Sequence, residues 1–458
     1  MATYEYGELY RSEAKVYPRE VRGRFARMRR VTMFLLLGLF YGGPWLTWNG
    51  RQAVLFDLPE RKFYLWGLTM WPQDFIYLAL LLITLAVSLF FFTALAGRLW
   101  CGYACPQTVW TEAFTWIERL VEGDRAKRIK LDKAPWTSAK IWRKALKQCL
   151  WIVLALFTGF TFVGYFVNVR ELGGDLLSFS AGPWESFWVL FYGFATYGNA
   201  GFMREQVCKY MCPYARFQGA MFDRDTLIIT YDEERGEPRG SRRRGADPRA
   251  AGLGDCIDCT LCVQVCPTGI DIRKGLQYEC IACAACIDAC DSVMDRMNYP
   301  RGLIRYTTEH AIQHKRYHLF RPRTVIYSVL LATLVSAMTG AILLRKPVIV
   351  DVMRDRNVLY RDVGTRGIEN VYTLRIVNKQ NVDRAYAVEV RGIPGIALAE
   401  SRPVAVAAES VHTLPVAVTV PHEHAEGGQA IEFVVRALDD SGIEIVEESR
   451  FRGPEGVR

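Results

Sequence analysis

Residues 256–290 read CIDCTLCVQVCPTGIDIRKGLQYECIACAACIDAC, and eight cysteines within 35 residues constrain this chain more than any other feature. The first run is Cys256, Cys259, Cys262 and Cys266, followed by Pro267; the second is Cys280, Cys283, Cys286 and Cys290. Both have the spacing C-x2-C-x2-C-x3-C. Three closely spaced thiolates can wrap one face of an iron–sulfur cube, while the fourth is carried away by the following turn to the neighbouring cube. The spacing therefore predicts two [4Fe–4S] clusters, one on Cys256, Cys259, Cys262 and Cys290, the other on Cys280, Cys283, Cys286 and Cys266. Zinc also takes thiolates, but its sites repeat C-x2-C pairs across longer loops, not two tight ladders of four. Pro267 and Gly269 fit the turn after the first ladder; Asp291 stands where the second would have proline. Ile257, Val263, Ile270, Ile281 and Ile287 lie between the ligands, placed to shield the clusters and tune their potentials.

A module of this kind passes electrons singly. The chain has no G-x-G-x-x-G fingerprint for flavin or nicotinamide, so a partner protein or a reductant meeting the membrane part must supply them. The 13 cysteines stop at Cys290, and a disulfide scaffold belongs to small secreted domains.

Five apolar segments, roughly 31–49, 75–97, 150–168, 186–202 and 324–343, read as spanning helices, each near the 20 or so residues a bilayer requires. Lys and Arg number eight in the first 30 residues, three in 50–74, eleven in 98–149 and one, Arg170, in 169–185. That alternation predicts the N-terminus, the 98–149 loop and the 203–323 stretch in the cytoplasm, with the C-terminal part outside, and no cleaved signal peptide. The net charge of +9 is then the signature of cytoplasmic loops. No nucleic-acid fold signature or aromatic stacking pattern accompanies it. The basic run RGEPRGSRRRG from residue 235 reads as a loop facing anionic lipid or a partner surface.

The tail alternates apolar and polar residues with period two. Tyr372, Leu374 and Ile376 form one such row, Tyr386, Val388 and Val390 another; Val416, Val418 and Val420, then Ile431, Phe433 and Val435, repeat it. Half-buried strands separated by Gly, Pro and Asn predict a small sandwich, stabilised by packing because it lacks cysteine.

Two further motifs, C-x3-C-P, hold Cys101 with Cys105 and Cys208 with Cys212, each just after a predicted span, and hint at an internal repeat. Residues three or four apart share a helix face, so each pair can present two thiols together, and four converge if the helices pack. Such a set suits Cu(I), zinc or another iron–sulfur cluster, or a reversible dithiol–disulfide couple; buried cysteines also simply pack. Pro106 and Pro213 are expected to end or kink the helices just beyond the second thiol. Cys149 reads as packing. His310, His314 and His318 would line one helix face, reading as a solvated basic surface with Lys315, Arg316 and Arg321 before a metal site. His422, Glu423 and His424 offer a weak copper or zinc contact in the tail.

The stretches CGYACPQTVWTE, CKYMCPYARFQGAMFD, TLIITYDEERGEPRG, GDCIDCTLCVQVCPTGIDIRKGLQYECIACAACIDACD and YPRGLIRYTTE, in this order, resemble the cytochrome c oxidase accessory proteins of the CcoG/FixG/RdxA type over nearly the whole chain. The resemblance implies an inner-membrane polyferredoxin of about five transmembrane helices, with a bacterial two-[4Fe–4S] ferredoxin-like domain and a periplasmic all-β Ig-like domain. The divisions expected are a cytoplasmic segment 1–30, a four-helix membrane region 31–223 with both C-x3-C-P motifs, a ferredoxin-type domain 224–323, a fifth span 324–344 and a sandwich 345–458. It implies reduction of Cu(II) to Cu(I) for assembly of the cbb3-type oxidase, transient copper near Cys101, Cys105, Cys208 and Cys212, and assembly factors or copper transport proteins as partners. The rival readings are a quinol-linked conduit to a periplasmic reductase and a non-enzymatic assembly scaffold.

Overall fold

A computed structural model of the chain describes residues 15–454 except 244–246, 248–251, 315–317, 319, 357, 401 and 440. The first fourteen residues of the N-terminal segment and part of the basic run after residue 235 therefore lie outside the described residues. The chain folds as two compact units, one holding the residues up to 60 with 78–337, the other 61–77 with 338 onward.

Among the described residues three helices are long and apolar enough to cross a membrane: Pro72–Ala96, Ser138–Val163 and Pro322–Leu343. Three, not five, is a correction at 31–49 and 186–202. Helix Arg24–Gly42 uses its first turns on Arg24, Arg27, Arg29 and Arg30, and the chain then leaves the α-helix at Gly43–Trp45, where Pro44 has no N–H to continue it. Its apolar part, from Val31, covers about 18 Å at 1.5 Å per residue, short of the hydrocarbon core. Helix Pro183–Thr196 is α-helical for only 14 residues and then widens into a π-helix, Tyr197–Met203, where Gly198 and Gly201 hold the α form weakly.

Small residues let these helices approach closely. A Cβ added at Gly159 would lie 2.2 Å from the Val189 carbonyl oxygen. Gly159→Leu must therefore part helix Ser138–Val163 from Pro183–Thr196. The expected cost is about 1–3 kcal/mol, read as a lower thermal midpoint in detergent.

The cysteine ladders are bracketed by a short antiparallel pair, Ile228–Tyr231 with Ile304–Thr307, in register from Ile228 opposite Thr307 to Tyr231 opposite Ile304. Ile229, Tyr231, Ile272, Ile287, Met294, Leu303 and Ile304 form the core beneath. Helix Ala285–Met297 carries Cys286 and Cys290 and stops at Asn298, whose left-handed φ of 59° suits asparagine. Its Asp288 also caps another helix. Gly23, preceding Arg24–Gly42, has no side chain to cap with, and the Asp288 carboxylate accepts from the Phe25 and Ala26 amides at 3.2 and 2.6 Å. A helix N-terminus favours such an anion. Asp288→Ala is expected to cost about 1–2 kcal/mol, measurable by thermal or denaturant unfolding.

In the second unit two antiparallel sheets face each other. One is ordered Ala397–Leu398, Val411–Val420, Ile368–Asn378, Val348–Arg354, with Arg361–Asp362 beside Ile368–Asn378; the other runs Val404–Val406, Arg384–Arg391, Gly428–Ala437, Glu444–Arg452. Tyr372, Leu374 and Ile376 point into the core with Tyr386, Val388, Val418, Val420, Ile431, Phe433 and Val435, as the period of two predicts. Tyr372 meets Phe433 edge-on at 5.1 Å, and its hydroxyl donates to the Arg450 carbonyl at 2.9 Å. Residues 61–77 join this unit through Asp74, buried between Lys379 and Arg345 at 2.7 and 2.6 Å.

Candidate functional site

The two ladders are built alike. The loop of the first has Asp258 and Thr260 at positive φ, 53° and 55°; that of the second has Ala282 and Ala284 in the equivalent places, at 52° and 59°. Left-handed residues on both sides of Cys259 and of Cys283 curl the backbone so that successive N–H groups face inward, a concavity that receives anionic sulfur. Non-glycine residues adopt that region at a cost of about 1–2 kcal/mol each, so Thr260→Gly, at an exposed β-branched position, is expected to raise thermal stability modestly.

Each ladder walls a small cavity. One is lined by Cys256, Cys259, Cys262 and Cys290 with Ile257, Leu261, Met294 and Ile304. The other is lined by Cys266, Cys280, Cys283 and Cys286, with Cys262 on the shared wall and Ile270, Ile272 and Ile281 around it. The last thiol of each run thus faces the three leading thiols of the other run. Four thiols in an apolar shell are a donor set that fits a [4Fe–4S] cluster. Burial pushes the Cys290 and Cys280 thiols up to about 12 and Cys262 to about 11, so metal must displace their protons.

The C-x3-C-P pairs straddle helix breaks and do not sit along one helix face. Cys101 lies in helix Leu99–Tyr103 and Cys208 in the π-helix Val207–Met211. Cys105 and Cys212 are extended, with ψ of 129° and 108°, and immediately precede helices Pro106–Glu122 and Pro213–Met221. Proline forces this arrangement: it pushes the preceding residue out of the α region and is pre-set for the first helical position. Pro106 and Pro213 therefore start helices, where the sequence predicted them to end or kink the preceding ones. The same break in both copies makes the repeat structural. Burial first, then Cys105, Cys208 and Cys212, push the Cys101 thiol up to about 12 against the pull of Arg98. Burial first, then Cys105 and Cys212, bring Cys208 up to about 11 against the pull of Arg98. The four thiols therefore feel one another, and Cys101 also donates to Gln218 Oε1 at 3.2 Å. Among the described residues, however, no three cysteine sulfurs lie within 4.8 Å of one another. A single tetrahedral ion with bonds near 2.3 Å needs sulfurs about 3.8 Å apart, so the quartet is not closed around one ion. All thirteen cysteines are free thiols. Cys149 is exposed on its helix, where packing was expected.

Quartet and second ladder are fastened together. The buried Arg98 guanidinium donates to the Tyr278 and Ala215 carbonyls, and to Cys280 O at 3.4 Å. A Cβ at Gly102 would lie 2.8 Å from the Ile281 carbonyl oxygen. Arg29 donates to the Cys283 carbonyl. A cavity of about 300 Å³ touches both Cys208 and Cys283, with Arg29, Glu112, Met33 and Trp116 among its walls.

Comparison with known proteins agrees with this architecture. Family descriptions match at residues 203–309 (4Fe-4S dicluster domain), 78–123 (4Fe-4S binding domain) and 338–454 (the Ig-like fold at the C-terminus of FixG). Protein RdxA of Cereibacter sphaeroides is 40% identical, over 98% of this chain and 96% of its own. Protein RdxB of the same organism is 43% identical, over 85% and 84%. The nitrogen fixation protein FixG of Rhizobium meliloti is 37% identical, over 91% and 88%. The chain belongs to the FixG/RdxA family. Its 4Fe-4S domains give this FixG-family chain an iron–sulfur electron-transfer role.

Three features of this FixG-family chain were not legible in its sequence. The first is a buried charge cluster around Glu118 of helix Pro106–Glu122. Glu118, 1% exposed, accepts from Arg128 at 2.7 Å and Arg204 at 3.0 Å, with Lys147 at 4.0 Å. Its alternation with apolar residues on Pro106–Glu122 gave no hint of burial. The second is Arg98, read only as one of many loop cations. The third concerns the histidines. Helix Glu309–His314 stops before His318, so no helical face carries all three, and the His314 side chain lies outside the described residues. His310 and His318 nonetheless meet, their rings edge-on at 4.4 Å beside Asp225. His422 and His424 share a short turn, and no three-ligand cluster forms there among the described residues.

Proposed function

We propose that this chain is a cupric reductase serving assembly of a cbb3-type cytochrome oxidase. Clusters bound at the two ladders supply one-electron transfer. The chain holds the thiols that carry the rest: Cys256, Cys259, Cys262 and Cys290 at one centre, Cys266, Cys280, Cys283 and Cys286 at the other. Each Cu(II) takes one electron, delivered by a reduced carrier protein, and leaves as Cu(I). Cys101, Cys105, Cys208 and Cys212 receive it there, since soft thiolates favour Cu(I). The observation that carries this reading is the 300 Å³ cavity that reaches both Cys208 and Cys283, an access route for an ion between quartet and ladder. The basic N-terminal segment and the ladders face the cytoplasm and the Ig-like domain the periplasm, a division supported by the Lys and Arg distribution. From there the outer domain meets assembly factors, copper transport proteins or the oxidase.

The test is Cu(II) reduction by anaerobically prepared, chemically reduced protein. The Cys101→Ser/Cys105→Ser variant should keep its iron and labile sulfide and reduce Cu(II) at least about tenfold more slowly, as loss of tuned metal contacts typically does. An unchanged rate overturns the role of the pair. A second reading, a quinol-linked conduit, draws on the apolar side of the same cavity, Met33, Phe34, Trp116 and Leu120. It requires that a short-chain quinol reduce the protein and that Met33→Trp block it.

A further inference from the structure

The ladders and the thiol quartet leave one cluster of metal-ligating side chains without a task. Asp225, His310 and His318 each bring one ligand atom within 4.8 Å of the others, the only such group among the described residues. The geometry points to a Cu(II)-binding site of two imidazoles and one carboxylate, separate from the cysteines.

The Asp225 carboxylate is split in its duties. Its Oδ1 faces the Nδ1 atoms of His310 and His318 at 3.6 and 3.7 Å. Its Oδ2 faces Arg321 at 3.9 Å. Oδ1 is buried and has no hydrogen-bond partner, and both imidazole separations exceed hydrogen-bond length. A buried carboxylate oxygen left without a hydrogen bond is costly, and an ion bound at Asp225 Oδ1 would relieve that cost. Bonds of about 2.0–2.2 Å to one ion set nitrogen and oxygen ligands about 3.3 Å apart, a few tenths of an ångström closer than the two Asp225–imidazole separations, with the imidazole nitrogens within 4.8 Å of each other. Two backbone features hold the parts in place. The His310 amide donates to the Arg224 carbonyl at 2.9 Å, and the Asp225 amide to Asp223 Oδ1 at 3.0 Å. His318 is the exposed partner, leaving an open side for an ion to enter.

Imidazole and carboxylate are borderline-to-hard donors, and among divalent first-row ions Cu(II) binds such sets most tightly. The thiol quartet has the opposite preference, for Cu(I). The two sites thus sort the oxidation states of one metal. Helix Pro213–Met221, nine residues and about 13 Å long, separates Cys212 from the loop carrying Asp225. As a loading site for the substrate of a cupric reductase, the cluster rests on the function proposed above; as a Cu(II)-binding site it does not.

The experiment titrates Cu(II) into the full-length protein with its clusters oxidised and its accessible free thiols alkylated beforehand, so that neither clusters nor thiols reduce the copper. Paramagnetic resonance should show a single stoichiometric Cu(II) species with coupling to two imidazole nitrogens. The His310→Gln/His318→Gln variant should lose that species, and Asp225→Asn should weaken it by about 10- to 100-fold, as removal of a metal contact does. Iron and labile sulfide equal to wild type certify the fold of the variants. Should they fail to fold, carbethoxylation mapped by mass spectrometry replaces them: Cu(II) should shield His310 and His318 in the unaltered protein. A nitrogen-coupled signal that survives the double variant, its absence from wild type, or histidines that Cu(II) does not shield each overturns the site. Because binding is read without turnover, failure of copper reduction leaves it standing, and its own failure leaves the reductase reading intact.

Discussion

Cys290→Ala should extinguish the centre of the first ladder, not the second, and halve the iron from about eight atoms per chain to about four. Cys290 lies in the second run of sequence yet lines the cavity of Cys256, Cys259 and Cys262. Iron and sulfide analysis reads the loss, and redox-monitored paramagnetic resonance reads which centre is gone. Cys259→Ala, at an exposed position, is the matching variant and should silence the same signal. Cys266→Ala and Cys283→Ala should silence the other. If Cys290→Ala and Cys259→Ala abolish different signals, the crossed arrangement is wrong.

Arg128→Ala is expected to destabilise the chain by about 3 kcal/mol, the lower end of the range for breaking a buried ion pair. The lower end applies because Arg204 still reaches Glu118 Oε2 at 3.0 Å. Burial pushes the Glu118 carboxyl up, but Arg204, Arg128 and Lys147 overcome it and hold the group below the ordinary carboxylate range. The sign follows: a depressed carboxyl contributes stability above its unfolded value, about 4.3, and that contribution fades as pH falls toward the folded value. Denaturant unfolding across mildly acid pH should therefore show wild type losing stability on acidification and Arg128→Ala losing less. Equal slopes would remove Glu118 from the acid response.

The parts legible in the sequence are those written in short spacings. The ladders are local, and their cavities follow from where eight cysteines fall. The tail's strands follow from a period of two that Tyr372 to Ile376 and Ile431 to Val435 keep on the inner faces. What stayed hidden depends on partners far along the chain. Asp288 caps a helix some 260 positions earlier, and Asp74 ties residues 61–77 to Lys379. Apolar runs alone overcounted the candidate spans, because a span needs one long uninterrupted apolar helix: the first run shares its helix with four arginines and stops at Pro44, and the π-helix after Thr196 cuts the other short. The histidine spacing predicted a helical face; His318 lies outside helix Glu309–His314, and its ring nonetheless meets that of His310.

The close approach at Gly102 has a kinetic consequence. With its backbone against Ile281 and Ala282, the segment carrying Cys101 has no linker to swing on and no docking encounter to wait for. Passage of charge across that joint should be indifferent to solvent viscosity, whereas delivery by a diffusing carrier should slow in glycerol in proportion.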